Sequence, residues 1–175
     1  PTGGRLEQAD GTAWMAFYAT TMMSIALELS RDNPATEDVA SKFFEHFVAI
    51  ADAMNTMGGT GLWDEADGFY YDQLHVDGRS SPLKVRSLVG AIPLIAVEVV
   101  DSEQIDRLPG FKKRLKWFLE NRKDLAKQLS FMEKGRDVKM LLALPTKERL
   151  VRVLHYLLDE NEFLAAYGLR SISRV

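Results

Sequence analysis

Between Leu62 and Asp72 the chain reads Leu-Trp-Asp-Glu-Ala-Asp-Gly-Phe-Tyr-Tyr-Asp, with four carboxylates, four aromatic rings and one glycine in eleven residues. An amphipathic helix would send charges and rings to opposite faces. Here they alternate too closely, and Gly58-Gly59-Thr60-Gly61 leads in. Asp67-Gly68 is a turn pair, because glycine accepts positive φ and aspartate bonds its own backbone. The stretch reads as an ordered loop that presents acids and rings together. Flat rings stack on the apolar faces of sugars, and carboxylates accept hydrogen bonds from hydroxyls. The same residues also suit a plainer role, with the rings anchoring a loop and the acids solvated or capping helices.

Composition narrows the chemistry. The 175 residues suit one domain or part of a larger one, and 46% hydrophobic content is enough for a core. A net charge of −3 gives no basic footprint for nucleic acid. There is no cysteine, which excludes disulfides and thiolate metal sites. His46, His75 and His155 lack ligand spacing, and His46 reads as a core or boundary residue. No metal site and no cofactor are expected. The glycines at 58, 59 and 61 lack nucleotide-loop spacing. No signal peptide and no membrane-spanning apolar run is visible, which fits a cytoplasmic protein.

The elements that must position the loop are mostly helical by pattern. Asp10 or Thr12 can cap a helix running to about Ser30. Its apolar stripe is Trp14, Phe17, Tyr18, Met22, Ile25, Ala26 and Leu29, with Met15 and Met23 on a further side. Pro34 breaks it, and Thr36 starts a second helix with Val39, Phe43, Phe44, Phe47, Ile50, Ala51 and Met54 inward. Residues 73–79 read as a hairpin turning at Asp77-Gly78 and ended by Ser81-Pro82. Lys84 to Val100 reads as a very apolar helix kinked or divided at Pro93. Pro109 opens another helix to about Glu120, with Phe111, Leu115, Phe118 and Leu119 inward. Lys112, Lys113, Arg114 and Lys116 read as its solvated face. Phe131-Met132 and residues 139–142 suggest short strands joined through Gly135. Thr146 caps a last helix through Leu158, with Leu150, Val153, Leu154 and Leu157 inward. The fold class expected is all-α, with long loops and a small β-hairpin.

Several runs resemble glycoside hydrolase family 63, the glucosidase and mannosylglycerate-hydrolase relatives with their trehalase-like and glucoamylase-like cousins. They are residues 6–16, residues 43–47, Leu62-Trp63-Asp64 with residues 67–72, residues 84–90 with Pro93-Leu94, and residues 157–160 with Glu162-Phe163-Leu164, Tyr167-Gly168 and Arg170-Ser171. They occur in the family's order over nearly the whole chain. Ala165-Ala166 departs from the small polar residue and proline usual before the Tyr-Gly turn, which weakens that turn's placement. The resemblance implies an (α/α)6 toroid, of which five or six helices would make about half. With Pro1-Thr2-Gly3-Gly4 and the tail after Tyr167-Gly168 reading as cut ends, residues 1–175 are expected to be a single partial domain, incomplete at both ends.

Enzymes of this kind invert the anomeric centre with two carboxyl groups about 6.5–9.5 Å apart. The resemblance implies that the general acid lies before Pro1 and the general base beyond Val175, so this piece alone would be inactive. It would supply a substrate-pocket wall for α-linked glucosyl or related sugars. The implied carbohydrate contacts are Asp10, Trp14, Trp63, Asp64, Tyr70, Asp72 and Arg86, with Tyr71 beside them and Glu7 an outside candidate for chemistry. Asp64 is also an outside candidate for the catalytic acid or base. Arg86 needs a partner, expected to be a carboxylate of the acidic loop. The partners implied are a carbohydrate and the remainder of the same parent chain, with neither nucleic acid nor membrane. The competing readings are a carbohydrate-binding or scaffold protein without catalysis, and a helical interaction module.

Overall fold

The computed structural model describes residues 3–56, 61–122, 129–134 and 137–175, with side chains described outside 123–138. The Gly58–Thr60 lead-in and the Gly135 turn lie outside them. Two compact units share the chain. Unit 1 comprises residues 1–14, 53–95 and 145–175, and unit 2 comprises residues 15–52 and 96–144.

The all-α expectation, half of an (α/α)6 toroid, is overturned. The protein is mixed α/β, with four small sheets among the described residues. Much of the discrepancy lies between Lys84 and Val100. There the chain forms a 3-10 segment, Leu88–Ile95, followed by a strand, β6, Val97–Asp101. Pro93 withholds a donor, and the β-branched Val97, Val99 and Val100 favour a pleated backbone over a helical one. Apolarity without helical period was the misleading signal.

In unit 1, β1 (Arg5–Glu7), β4 (Asp72–Val76) and β5 (Arg79–Leu83) form an antiparallel sheet in the order β1-β4-β5. Its hairpin turns at Asp77-Gly78, both at positive φ (49° and 74°), the pairing a tight two-residue turn demands. Pro82 does not end the hairpin. It lies on β5, an edge strand, opposite Gln73 of β4, where a missing donor costs little. β2 (Trp63–Asp64) and β3 (Phe69–Tyr70) make a second hairpin, and β9 (Leu164–Ala165) pairs β10 (Gly168–Leu169). The closing helix of unit 1, Lys147–Leu157, is capped by Thr146, whose hydroxyl accepts from Arg149 N at 3.3 Å. The core of this unit is aromatic. Phe69 stacks on Phe163 (6.0 Å, 17°), and Trp63 packs edge-on to Tyr70 (4.9 Å).

In unit 2, β6 and β7 (Leu129–Lys134) flank β8 (Asp137–Ala143), all antiparallel. The two short strands expected near 131 and 139–142 are therefore present. Helix α1, Ala9–Leu29, enters this unit at Met15, and α2, Glu37–Thr56, contributes most of its length. α3 is Ser102–Asp106 and α4 is Pro109–Asn121, which makes the capped helix of unit 1 α5. Phe44 of α2 meets Phe111 and Phe118 of α4 edge-on at 6.1 and 5.2 Å.

The apolar stripe read for α1 is nearly inverted. Ala13, Ala16, Ala19, Met23, Ala26 and Leu27 are buried, while Trp14, Met15, Tyr18, Ile25 and Leu29 are about half exposed. Small residues at three- and four-residue steps permit close approach, and here they form the packed face. On α2 the buried set is Ala40, Phe44, Phe47, Val48, Ala51 and Met54, shared in part with the expected stripe, while Val39 is exposed.

Candidate functional site

The acidic-aromatic stretch forms the β2–β3 hairpin and its turn. Asp64 Oδ1 accepts from Asp67 N at 2.9 Å, and Gly68 N donates to Asp64 O at 2.8 Å. Gly68 sits at φ 70°, so the Asp67-Gly68 turn forms as its residue types require. A Cβ there would also lie 2.3 Å from Arg152 Nε.

The rings and the acids of this hairpin separate. Trp63 is 1% exposed and Tyr70 1%, so both are core residues. Trp63 Nε1 donates to Glu65 Oε2 at 2.7 Å. The Tyr70 hydroxyl donates to Asn55 Oδ1 at 3.0 Å, and burial pushes its pKa up to about 12. The acids stay nearer solvent. Lys84 Nζ lies 2.7 Å from Asp64 Oδ2 and 3.3 Å from Asp67 Oδ2. Its hydrogen bond, helped by the Asp67 amide, holds the Asp64 carboxyl below the usual range despite partial burial.

α5 clamps the hairpin from outside. Arg149 and Arg152 lie over the Trp63 ring, 4.9 and 5.4 Å from its centroid. Arg149 Nη1 also donates to Asn55 Oδ1 at 2.5 Å. Arg152 donates to Glu65 Oε1 at 2.7 Å and to Glu65 O at 2.6 Å. One turn further, Tyr156 donates its hydroxyl to Asp67 O at 2.5 Å. Residues 149, 152 and 156 share one helix face by spacing, and that periodicity was the available signal for them. Sequence reasoning passed over all three, and over Lys84 and Asn55.

Arg86 finds Glu162 rather than an acid of the loop. Its Nη1 donates to Glu162 Oε1 at 2.7 Å. Glu162 is tethered in turn by the Ser173 hydroxyl. The loop is still reached through Tyr156, whose ring lies under the Arg86 guanidinium and whose hydroxyl donates to Asp67 O, while burial raises the phenol pKa of nearby Tyr71. The partner was missed because Glu162 is 76 residues distant and no local spacing links the two.

The remaining expected residues gather at the start of α1. Asp72 Oδ1 accepts from Ala9 N at 2.7 Å, so a strand residue satisfies a free donor of the helix's first turn. Asp10, expected as a cap, instead accepts from the next amide, Gly11 N, at 2.7 Å. Trp14 is 50% exposed one turn on. The structure thus joins Trp63, Asp64, Tyr70 and Lys84 on one hairpin assembly, links Arg86 to it through Tyr156, and holds Asp10 and Asp72 by separate bonds. Glu7 faces His75, with Oε2 3.0 Å from His75 Nε2.

Among the described residues no group of three or more His, Asp or Glu side chains is arranged to hold a metal ion. Among the same residues no helix is long and apolar enough to cross a membrane.

The chemistry open to this assembly is that of an acceptor. An ionised Asp64 beside an ammonium group can take a hydroxyl hydrogen bond, whereas a general acid needs a raised pKa. The chain is similar to the uncharacterized protein YMR196W of Saccharomyces cerevisiae, 47% identical over 189 residues. That similarity covers 99% of this chain and 17% of the yeast protein, so the chain spans about one sixth of that relative's length. No family model and no solved structure matches the chain.

Proposed function

We propose that residues 1–175 form part of a carbohydrate-facing wall in a protein related to inverting glycoside hydrolases, one acting on α-linked glucosyl or similar sugars. The observation that carries this reading is the Asp64–Lys84–Asp67 group. It is a partly exposed acceptor–donor–acceptor set, held at a hairpin clamped by Arg152 and Tyr156. Such a set matches adjacent sugar hydroxyls, each able to donate and to accept. The ordered residue runs shared with family 63 supply the substrate class. The acid and base belong to polypeptide outside these residues, for which a relative about six times longer leaves room. The chain on its own is then inactive. A cytoplasmic setting, consistent with a chain free of cysteine, is part of the same reading.

A second reading has its own support. Trp63 and Tyr70 are closed off from any ligand, so the hairpin also suits a scaffold that holds neighbouring polypeptide without catalysis. One experiment separates the two. The intact parent protein is assayed on a panel of α-glucosides and related glycosides, with the anomeric product followed by NMR. Inverted product, with weakened sugar binding and residual turnover in Asp64→Asn, supports the wall. Normal binding with complete loss of turnover in that variant would make Asp64 itself the acid or base. No turnover and no sugar binding in a folded protein leaves the scaffold.

A further inference from the structure

From Met15 onward α1 belongs to unit 2, and Ala16, Ala19, Met23 and Ala26 are its packed face there. A second apolar stripe runs beside that face. Met15, Tyr18, Met22, Ile25 and Leu29 follow one another at steps of three, four, three and four, the 3.5-residue repeat of a helix-pairing seam. Met15, Tyr18, Ile25 and Leu29 are 57%, 55%, 48% and 54% exposed, and Met22 is intermediate. The sequence carries no charged residue from position 11 to position 27. A solvated helix face ordinarily carries charge, as α4 does with exposed Lys112, Lys113 and Lys116. A helix without charge on any side belongs to an interior.

The spacing defines the shape of what would cover this stripe. From Met15 to Leu29 the seam is about 21 Å long and one side chain wide, which suits a single helix laid alongside it. A strand repeats its side chains every two residues and does not match. Helices that lie on lipid carry lysine and arginine on their polar side, and α1 has neither.

Area decides where that helix comes from. Five side chains, each about half open, offer on the order of 500 Å² at most. A stable complex of separate molecules buries about 800 Å² on each side. The seam therefore falls short for a second copy or a freely diffusing partner. A segment tethered in the same polypeptide needs less contact, because linkage raises its effective concentration to about millimolar. The yeast relative is about six times longer than this chain, which leaves ample polypeptide for such a helix.

We infer that in the intact parent protein the Met15–Leu29 seam is covered by one α-helix of the same polypeptide, drawn from outside residues 1–175. That helix presents an uncharged apolar stripe at matching three- and four-residue steps. The inference does not depend on the sugar reading of the Asp64 hairpin.

The test places the photocrosslinker p-benzoylphenylalanine at Tyr18, and separately at Ile25, of the purified intact parent, followed by irradiation and peptide mass spectrometry. Both positions should give products at the mass of one chain, joined to one peptide outside residues 1–175 with an apolar stripe of helical period. In the same parent, Ile25→Glu should lower the unfolding midpoint, because it puts a charge into a closed apolar seam, and Ile25→Leu should leave the midpoint in place. Should Ile25→Glu fail to fold, the crosslinks decide alone. Products at twice the chain mass would mean a second copy and overturn the inference. Absence of product, crosslinks confined to residues 1–175, a joined peptide without helical period, or an unchanged midpoint in Ile25→Glu would each overturn it as well.

Discussion

Arg86 lies across Tyr156 with its guanidinium carbon 4.2 Å from the ring centroid, inside the distance at which a cation is attracted to an aromatic face. The same side chain bonds Glu162 at 2.7 Å, and the two are only 18% and 12% exposed. Stacking and pairing together tie three stretches of unit 1, around residues 86, 156 and 162, into one joint.

Breaking that pair from one side leaves a charge stranded in a poorly hydrated place. We expect Glu162→Gln to destabilise the protein by on the order of 2–3 kcal/mol, short of the limit for a wholly buried pair because both groups retain some solvent. Arg86→Lys should cost a similar amount, since an ammonium group reproduces neither the fork nor the stacking. Urea unfolding with an unchanged slope would measure both. A double variant, Arg86→Met with Glu162→Leu, should cost less than either single change. Additive losses would show that the two residues act separately.

Tyr70 gives a pH signature at the alkaline end. Burial raises its phenol from the ordinary value of 10.0 to about 12, so folding favours the protonated ring. Its contribution is complete below pH 10 and is lost as pH rises through 12, a slope totalling on the order of 2 kcal/mol. Tyr70→Phe should abolish that slope. It should also cost about 1 kcal/mol near neutrality, by removing the bond to Asn55. Stability measured between pH 8 and 11 in both proteins checks the sign.

Legibility in the sequence followed locality. The Asp77-Gly78 hairpin, the Asp67-Gly68 turn, Pro109 opening α4 and Thr146 capping α5 are settled by neighbours within four residues, and all were readable. α1 was misread because large apolar residues were assumed to lie inward. Its alanines, at the same spacing, make the packed face, and Trp14, Tyr18 and Ile25 stand out instead. Residues 84–100 were misread because a continuous apolar run carries no period to separate helix from buried strand. At the site, the residues of the 62–72 hairpin were visible as a cluster. Their partners Arg86–Glu162, Arg149–Asn55 and Arg152–Glu65 are pairs separated by 76 to 94 positions, and nothing in one sequence joins them.

Asp64 supplies the acidic counterpart to Tyr70. The Lys84 hydrogen bond depresses its pKa, so folding favours the carboxylate. That contribution is present above the unfolded value near 3.9 and is lost as pH falls through the lower folded value. We expect hairpin protection to fade below about pH 4, read by amide exchange at Asp67 and Gly68. Lys84→Met should return the Asp64 carboxyl toward its ordinary range, followed by its carbonyl carbon shift in an NMR titration. Because Lys84 is 45% exposed, added salt should weaken the coupling in the native protein.

Gly90 is a steric requirement, with no positive φ involved. A Cβ at this position would lie 2.3 Å from the Phe69 ring and 2.3 Å from Tyr70 O. Phe69 is 0% exposed and stacked against Phe163, so the ring has nowhere to move, and the carbonyl belongs to the β2–β3 hairpin. Overpacking of this kind usually costs about 1–3 kcal/mol, and a backbone obstacle places Gly90→Ala at the upper end. The change should also displace β3 and with it the turn that carries Asp64 and Asp67. We therefore expect Gly90→Ala to lower the unfolding midpoint and shift the amide resonances of residues 64–70 while leaving those of α2 and α4 in place. A variant as stable as the parent would mean that the Leu88–Ile95 segment does not press on β3 in solution.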